Sequence, residues 1–586
     1  PLESAIPLVA LPRRSCPSSL GASICDMQHL VFYSAKAAFH NVVLDWTSCS
    51  SRGDGRHLLS VQLHRPGRRA RDTKEKAEDH ERWRLQVTAE GGARGAALEE
   101  FVVAPSDFGS AREMGADSVV ASRLVRADPP NGSLPLRNAD EVRGAVVLIE
   151  RGGGQFVNVI RSAQDAGALA VVIADSREGP LFLMSTELGS SGDEVALPAV
   201  LLSLSDSMLL LQRAGGSLTA SIAADGVFMQ TYRQLRGSRS VRPVRLRQRD
   251  EMAWRVTFHG EGHQGFQGPY REAMSALCQE LLSPRLPLFV PCANSANSLA
   301  DNRDKYIPRP SATSPEHLDM YFFVGQVMGV AMRTRNLLSL DLPSLVWKQL
   351  AGVELDEGDL RATDYSCWST LQFRDEDGQA ITQQCFEELF SIPFTACLTD
   401  GTEVPLLPDG ESVPVTYERR EEYRSLVIKA RLEEGARQMA SMRAGLCSVV
   451  PEPLLGLMSW EELERRVCGS PEVDIASLKR HTRYRCGVVE GSAHVKMFWE
   501  VLDEFSQAER RLFLRFAWGR ERLPLESDYT EQSEMKMFPS DRGDGDSVLP
   551  EAETCFFIIK LPRYRNKELM HRNLLSAITA CREINY

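Results

Sequence analysis

Leu549-Pro550-Glu551-Ala552-Glu553-Thr554-Cys555-Phe556-Phe557-Ile558-Ile559-Lys560-Leu561-Pro562 is the stretch the rest of the chain serves. A charged segment gives way at Cys555 to aromatic and β-branched residues, so Cys555 to Leu561 reads as a strand. Pro550 and Pro562 bracket that run and limit its length. A thiol where a loop enters a strand can be held by the sheet and still face solvent. Local sequence leaves two readings open. Cysteine usually serves as a small buried hydrophobe. A reactive thiol needs an exposed, electropositive setting that the neighbouring residues do not reveal.

The pattern Leu-Pro-x-Ala-x-Thr-Cys-Phe, followed by Leu-Pro-x-Tyr at Leu561 to Tyr564, resembles the active-site signature of HECT-type ubiquitin ligases. Other stretches carry the same resemblance. Gly260-Glu261-Gly262, leading to Gly268-Pro269-Tyr270-Arg271-Glu272, is similar to the motif that opens the HECT fold. Gly265 stands where an Asp is usual, and Gln267 replaces the first of two paired glycines. Arg271 and Glu272 are expected to hold the domain together rather than do chemistry. Asn302-Arg303-Asp304-Lys305 and the C-terminal Ala577-Ile578-Thr579-Ala580-Cys581 look closest to HERC-type ligases, without the RCC-type propeller repeats. Gly519 to Pro524 is similar to the family's Gly-x-x-Arg-Leu-Pro.

Between these motifs the chain is rich in helix signals. Tyr321 to Arg333 is apolar nearly all round and reads as a buried helix. Gly325 and Gly329, at i and i+4, let another helix approach closely. At 13 residues the run is too short to span a membrane. Glu421 to Ala444 reads as one helix, charged on one side, with Tyr423, Leu426, Val427 and Ala430 on the other. Trp460 to Gly469 ends a helix, and Gly469, Ser470 and Pro471 mark a hinge. Val495 to Phe505 and Gln507 to Phe516 read as aromatic-rich helices, and a last helix is expected from Asn566 to Cys581.

From Phe101 to Gly226 the composition shifts toward Ala, Gly, Val and Leu. Arg143 to Gly152, Ala168 to Ala174 and Leu197 to Leu202 read as buried strands. Phe156 to Gly167 and Ser205 to Ala214 read as helices. Strand–helix–strand at this spacing implies a right-handed βαβ unit. Val-Leu-Ile-Glu-Arg-Gly, Ala-Gly-Ala, Val-Val-Ile-Ala and Leu-Pro-Ala-Val together resemble the protease-associated (PA) domain, with Gly154 where many members carry a cysteine. The resemblance implies a non-catalytic module for protein or peptide contact. Gly152-Gly153-Gly154 lacks the Lys-Ser/Thr of a phosphate cradle and reads as a turn.

Bulk properties bound the rest. The 586 residues suffice for roughly three to five domains. The net charge of −11 argues against nucleic-acid binding. Thirteen scattered cysteines, with no CxxC pair or zinc spacing, suit free thiols in a reducing cytoplasm or nucleus. Pro1 to Leu11 lacks a basic start and is not expected to be a signal peptide. The first residue is Pro rather than Met, so the chain is expected to be a piece of something longer. Neither a metal nor a cofactor is expected. Met27 to Leu44 has helical spacing, and Arg56 to Arg84 mixes charges as a solvated helix or loop does.

The expected fold class is α+β multidomain: an α-rich bilobal HECT domain, with a large N-lobe and a smaller α/β C-lobe, plus an α/β PA domain. Residues 1–100 form a helical, charged region, read either as independent or as an outlying part of the ligase domain split by an insertion. The split is favoured. Residues 101–226 are the PA-like domain, 227–473 the N-lobe and 474–586 the C-lobe. The resemblance implies ubiquitin, a ubiquitin-conjugating enzyme and a protein substrate as partners. It places the conjugating-enzyme groove at Leu371, Phe390, Tyr423 and Val427, and the thioester on Cys555. Thr554 reads either as a donor to the developing oxyanion or as a plain β-former. Glu553 stands where many relatives carry His, and neither His494 nor His571 is assigned as a base. Two rival classes are a HECT-shaped scaffold without catalysis and a cysteine hydrolase. The hydrolase would need a Cys–His setting that the sequence lacks.

Overall fold

The computed structural model describes residues 41, 43–44, 59–63, 83–89, 99–106, 120–182, 184, 195–213, 218–237, 246, 252–258, 267–374, 378–389, 392–470, 472–524, 526, 529–540, 542 and 545–583. The protein is a mixed α+β chain that divides into two compact units. One holds the strands between Trp83 and Ala224; the other holds the helices from Gln267 onward. Most of Met27 to Leu44 and of Arg56 to Arg84, and Gly260 to Gly265, lie outside the described residues.

The first unit is a closed barrel. Its strands are β1 (Trp83–Ala89), β2 (Glu99–Pro105), β3 (Val120–Arg126), β4 (Val146–Glu150), β5 (Ala170–Ala174), β6 (Ala199–Leu202) and β7 (Leu218–Ala224), in the order β1-β2-β6-β5-β4-β3-β7. β3 to β6 run parallel to their neighbours within this set. That parallel core is the expected βαβ arrangement, with α1 (Phe156–Asp165) crossing between β4 and β5 and α2 (Leu204–Arg213) following β6. Both faces of β4, β5 and β6 are buried, as central parallel strands require, while β3 beside them keeps Ala121, Arg123 and Arg126 exposed. Val147, Ile149, Val171 and Ile173 join Val157 and Ile160 of α1 in one cluster. Val146, Leu148, Val172 and Leu202 join Leu85, Ile222 and Leu210 of α2 in another. Antiparallel β1 and β7 pair along their whole length, from Trp83↔Ala224 to Ala89↔Leu218. The barrel therefore takes in chain upstream of Phe101. Asp225, just past β7, accepts from Arg84 at 3.2 Å and from Arg233 of the next helix, α3 (Val227–Gly237), at 2.9 Å.

The second unit begins with a helical body. α4 (Gln267–Leu281) carries the Gly268 to Glu272 motif, and Arg271 in it is buried. α5 (Pro315–Thr334), capped by Ser314, is buried along most of its length. The expected helix from Glu421 to Ala444 is two helices, α6 (Arg420–Leu432) and α7 (Ala436–Val449), interrupted at Glu433 to Gly435. The break lets α7 lie along α5, and the glycines make that approach possible. A Cβ on Gly325 would stand 1.9 Å from the Met442 carbonyl oxygen, and one on Gly445 would stand 1.8 Å from that of Phe322. Buried Arg333 donates to the carbonyls of Val449 and Leu44, each at 2.9 Å. Val415 and Thr416 lead into a 3-10 turn at Tyr417–Arg419. Around α6, residues Leu360, Phe373, Phe386, Phe394 and Val415 form a separate small core. α8 (Trp460–Cys468) closes the body with a capping box from Ser459.

Past Gly469 the chain builds a second α/β layer. Its sheet has the order β8 (Thr482–Tyr484), β9 (Met535–Pro539), β11 (Ile558–Leu561), β10 (Glu551–Glu553). Only the β10/β11 pair is antiparallel. α9 (Ala493–Glu504), α10 (Gln507–Trp518) and α11 (Lys567–Glu583) pack on it through Phe498, Phe513, Leu514, Met570 and Leu574.

Candidate functional site

Cys555 sits in a 3-10 turn, Thr554–Phe556, at the tip of the β10/β11 hairpin. The register Glu551↔Lys560, Ala552↔Ile559, Glu553↔Ile558 fixes the hairpin. The strand thus starts at Ile558 rather than at Cys555. The cause is Phe557, which adopts the left-handed conformation (φ 51°, ψ 51°) and ends any extended run before it. For a residue with a side chain that conformation costs on the order of 1–2 kcal/mol. Phe557 accepts the cost because its ring is fully buried and stacked on Trp518, with centroids 4.5 Å apart and planes 5° apart. Its neighbour Phe556 is 60% exposed, so the turn faces solvent.

The residues flanking the thiol are committed to structure. Glu553 pairs with Lys560 Nζ at 2.7 Å across the hairpin. Thr554 lies beside Gly519, in ordinary van der Waals contact range of a Cβ placed there. Tyr564, from the Leu-Pro-x-Tyr pattern, donates to the Val548 carbonyl at 2.6 Å. Burial pushes its phenol up to about 12. Asn573 on α11 donates to the Asp546 carbonyl at 2.8 Å, so the loop before the turn is pinned from two sides. His571 packs its ring on Phe505, and His494 is buried on α9. Among the described residues no group of His, Cys, Asp and Glu is arranged to hold a metal ion.

The turn lies against α4 of the helical body. The Gly519 to Pro524 loop makes the neighbouring contacts. Arg520 donates to Asn336 Oδ1 at 2.6 Å, and its guanidinium carbon stands 4.4 Å from the centre of the Trp518 ring. Arg522, 3% exposed, donates to Asp341 at 2.7 Å. Gly469 caps α8 with φ 83°, and a Cβ there would meet the Leu523 carbonyl at 2.6 Å. Ser470 donates its backbone N–H to that same carbonyl at 3.0 Å. Pro471 lies outside the described residues. The sequence reading missed Trp518, Arg520 and Arg522 as individual residues. The available signal was a glycine loop with two arginines directly after an aromatic helix end.

The four groove candidates fall differently. Leu371 and Val427 are each 4% exposed and belong to the small core, so they can form at most the floor of a groove. Tyr423 is half-buried, donates to the Thr395 carbonyl at 3.2 Å and packs edge-on against Phe394. Phe390 lies outside the described residues.

The chain thus carries a one-cysteine turn at the tip of a C-terminal α/β layer, against α4 of the helical body. The HECT-domain (ubiquitin-transferase) family model matches residues 275–585, more than half of the chain, and the chain belongs to that family. A PA-domain model matches residues 116–210, within the barrel. Among curated proteins, the chain is 38% identical over 333 residues to the human E3 ubiquitin-protein ligase HERC2, covering 57% of this chain and 7% of that one. It is 32% identical over 401 residues to the probable human E3 ubiquitin-protein ligase HECTD4, covering 63% and 10%. It is 30% identical over 332 residues to the E3 ubiquitin-protein ligase HACE1 of Gallus gallus, covering 55% and 34%. This chain therefore spans a minor part of the length of each relative.

Proposed function

We propose that the protein is an E3 ubiquitin ligase in which Cys555 carries ubiquitin as a thioester. The observation that carries this reading is the placement of Cys555 in an exposed turn whose backbone is fixed from below by Phe557 and Trp518. The Cys555 thiolate attacks the carbonyl of the thioester joining ubiquitin to the conjugating enzyme and expels that enzyme's cysteine thiolate. A substrate lysine amine then attacks the new thioester, forms the amide and releases Cys555. An unperturbed cysteine supplies only a few per cent thiolate at pH 7, but that fraction is intrinsically nucleophilic, so no triad is required. Thr554 is the residue best placed in sequence to steady the oxyanion.

In this reading the helical body up to Cys468 is the N-lobe and the layer beyond Val473 the C-lobe. Gly469, Ser470 and Pro471 are the hinge on which Cys555 travels between two partners. Tyr423, over a floor of Leu371 and Val427, lines the groove for the conjugating enzyme, and Phe390 is the further candidate for it. The barrel is inserted within the ligase unit, since Leu44, upstream of it, satisfies Arg333 in the helical body. The barrel serves protein or peptide contact. A reducing cytoplasm or nucleus is the setting a thioester enzyme needs. Among the described residues no helix is long and apolar enough to cross a membrane.

The test is a ubiquitin-loading assay with an activating enzyme and a panel of conjugating enzymes, resolved on non-reducing gels. The expected product is an adduct lost with dithiothreitol and with Cys555→Ala. Folded protein that forms no adduct with any conjugating enzyme would overturn the reading.

A further inference from the structure

One short segment, Trp518 to Arg520, touches both the turn that carries Cys555 and the helical body across the seam. On the turn side, Trp518 stacks on Phe557 at 4.5 Å, and Gly519 lies beside Thr554. On the body side, Arg520 donates from Nη2 to Asn336 Oδ1 at 2.6 Å and from Nη1 to the Arg335 carbonyl at 3.4 Å. Arg335 is the left-handed C-cap of α5, so the guanidinium meets the negative end of the longest helix in the body. Arg520 also lies over the Trp518 ring. Trp518 is 1% exposed, yet its indole N–H has no hydrogen-bond partner among the described residues. A buried orphan donor is costly, so what Trp518 contributes here is its flat ring rather than its N–H.

We propose that Arg520 and Trp518 are positioning residues for the Cys555 thiol, relaying the docking of the C-terminal layer on Asn336 through the Trp518–Phe557 stack. Phe557 is the residue whose left-handed backbone shapes the turn; the stack seats its ring, and its carbonyl accepts from the Lys536 N–H at 2.8 Å. When Arg520 is seated, Trp518 is fixed, and the turn is fixed against α4. The candidate conjugating-enzyme groove lies on the separate small core around α6, so this docked arrangement corresponds to ubiquitin discharge rather than loading. Loading requires Arg520 to leave Asn336. The proposal rests on the ligase reading above.

The test uses the full chain. Single-turnover loading of Cys555 and discharge onto free lysine are measured for wild type, Arg520→Met, Phe557→Leu, the double variant and Trp518→Phe. Arg520→Met keeps the aliphatic stem over the ring and removes the fork. It is expected to lower the ratio of discharge to loading about tenfold, as the loss of one charge-assisted hydrogen bond would. Phe557→Leu is expected to do the same, and the double variant no more than the worse single one. Trp518→Phe keeps a stackable ring and is expected to preserve the ratio. Independent multiplication of the two effects, or loading and discharge falling together in step with thermal stability, would overturn the relay. Hydrogen exchange separates this from the ligase reading. Asn336→Ala is expected to speed exchange at Thr554 to Ile558, on the far side of the stack. Changes confined to residues 334–341 and 518–523 would overturn the relay whether or not wild type forms a thioester. If exchange spreads and wild type forms no adduct, the relay stands and the ligase reading falls.

Discussion

Arg522 donates from Nη2 to Oδ1 of Asp341 at 2.7 Å, joining the C-terminal layer to the loop after α5 with a guanidinium that is 3% exposed. Burial alone would push the Asp341 carboxyl up, but Arg522, Lys305 and Arg511 outweigh it and hold the group below its ordinary 3.8. A carboxyl depressed in the folded state contributes stability above its unfolded value and loses it as pH falls through the folded value. Asp341→Asn should therefore cost about 2 kcal/mol at pH 7, mostly by leaving Arg522 underpaired. The gap to wild type should close only below about pH 3.8. Glu464, 3.7 Å from Arg522, is shifted the other way, up, because burial dominates. It contributes stability at low pH that is lost as pH rises through its raised value, so Glu464→Gln should cost less than Asp341→Asn at pH 7. Urea unfolding of both variants at pH 7, 4.5 and 3 checks both signs.

Gly325 and Gly445 set the distance between α5 and α7. Each faces a backbone carbonyl of the other helix, and backbone cannot swing aside as a side chain can. Gly325→Ala and Gly445→Ala should each destabilise the helical body by about 3 kcal/mol, at the upper end of overpacking costs. In a free helix the same change would stabilise by about 1 kcal/mol. Gly435→Ala, whose Cβ would meet only Pro308 at 3.6 Å, is the matched control and should be close to neutral. Thermal melts of the three variants decide it. Equal effects at all three positions would mean that the helices separate to admit a methyl.

The sequence carried what is local. The buried character and small-residue spacing of Tyr321 to Arg333 announced a helix that another helix would press upon. The three apolar runs of the βαβ unit announced parallel strands. What it did not carry is what distant chain decides. β1 closes the barrel by pairing with β7, more than a hundred residues away, and nothing near Trp83 signals that partner. Cys555 to Phe557 has strand propensity, but a ring supplied by Trp518 holds Phe557 left-handed, and tertiary contact overrides propensity. Leu371 and Val427 are apolar whether they floor a groove or fill a core, so type alone could not place them. The break at Glu433 to Gly435 was the avoidable miss, since a glycine in a helical run lowers the case for continuity.

Arg431 organises the small core that carries Tyr423. It pairs with Asp364 at 2.8 Å and Glu434 at 3.2 Å, and donates to Thr399 at 2.8 Å, with 7% of its side chain exposed. Arg431→Met should cost about 3 kcal/mol, because two carboxylates are left without their cation. Arg431→Lys should recover little, since one ammonium cannot reproduce a fork serving three partners. If Tyr423 lies in the conjugating-enzyme groove, both variants should weaken binding of a charged conjugating enzyme in a pull-down while the barrel melts as in wild type. Loss of barrel stability in the same variants would count against a separate small core.

Thiol chemistry offers a direct view of the seam. Burial pushes the Cys468 thiol up to about 12 and Cys367 up to about 11, and it raises Cys278 further. Cys385, Cys397 and Cys486 are exposed. A thiol with a raised value offers little thiolate at pH 8, and a buried one offers no access. Brief treatment of native protein with iodoacetamide at pH 8, read by peptide mass spectrometry, should therefore label Cys385, Cys397 and Cys486 and spare Cys278, Cys367 and Cys468. Cys468 is the informative one. It is fully buried directly before Gly469, with its thiol 3.8 Å from the Leu340 carbonyl and Arg522 close enough to pull its value down. If the chain at Gly469 is the joint proposed above and opens during turnover, Cys468 should gain reactivity when a conjugating enzyme is present. Cys278, on α4, should gain with it, while Cys367 in the small core should stay protected. On the ligase reading, loading converts the Cys555 thiol to a thioester, so labelling there should fall when ubiquitin is loaded. Protection of Cys468 that never changes while Cys555 turns over would mean that the thiol travels without the seam parting at Arg522, and that a different joint carries the motion.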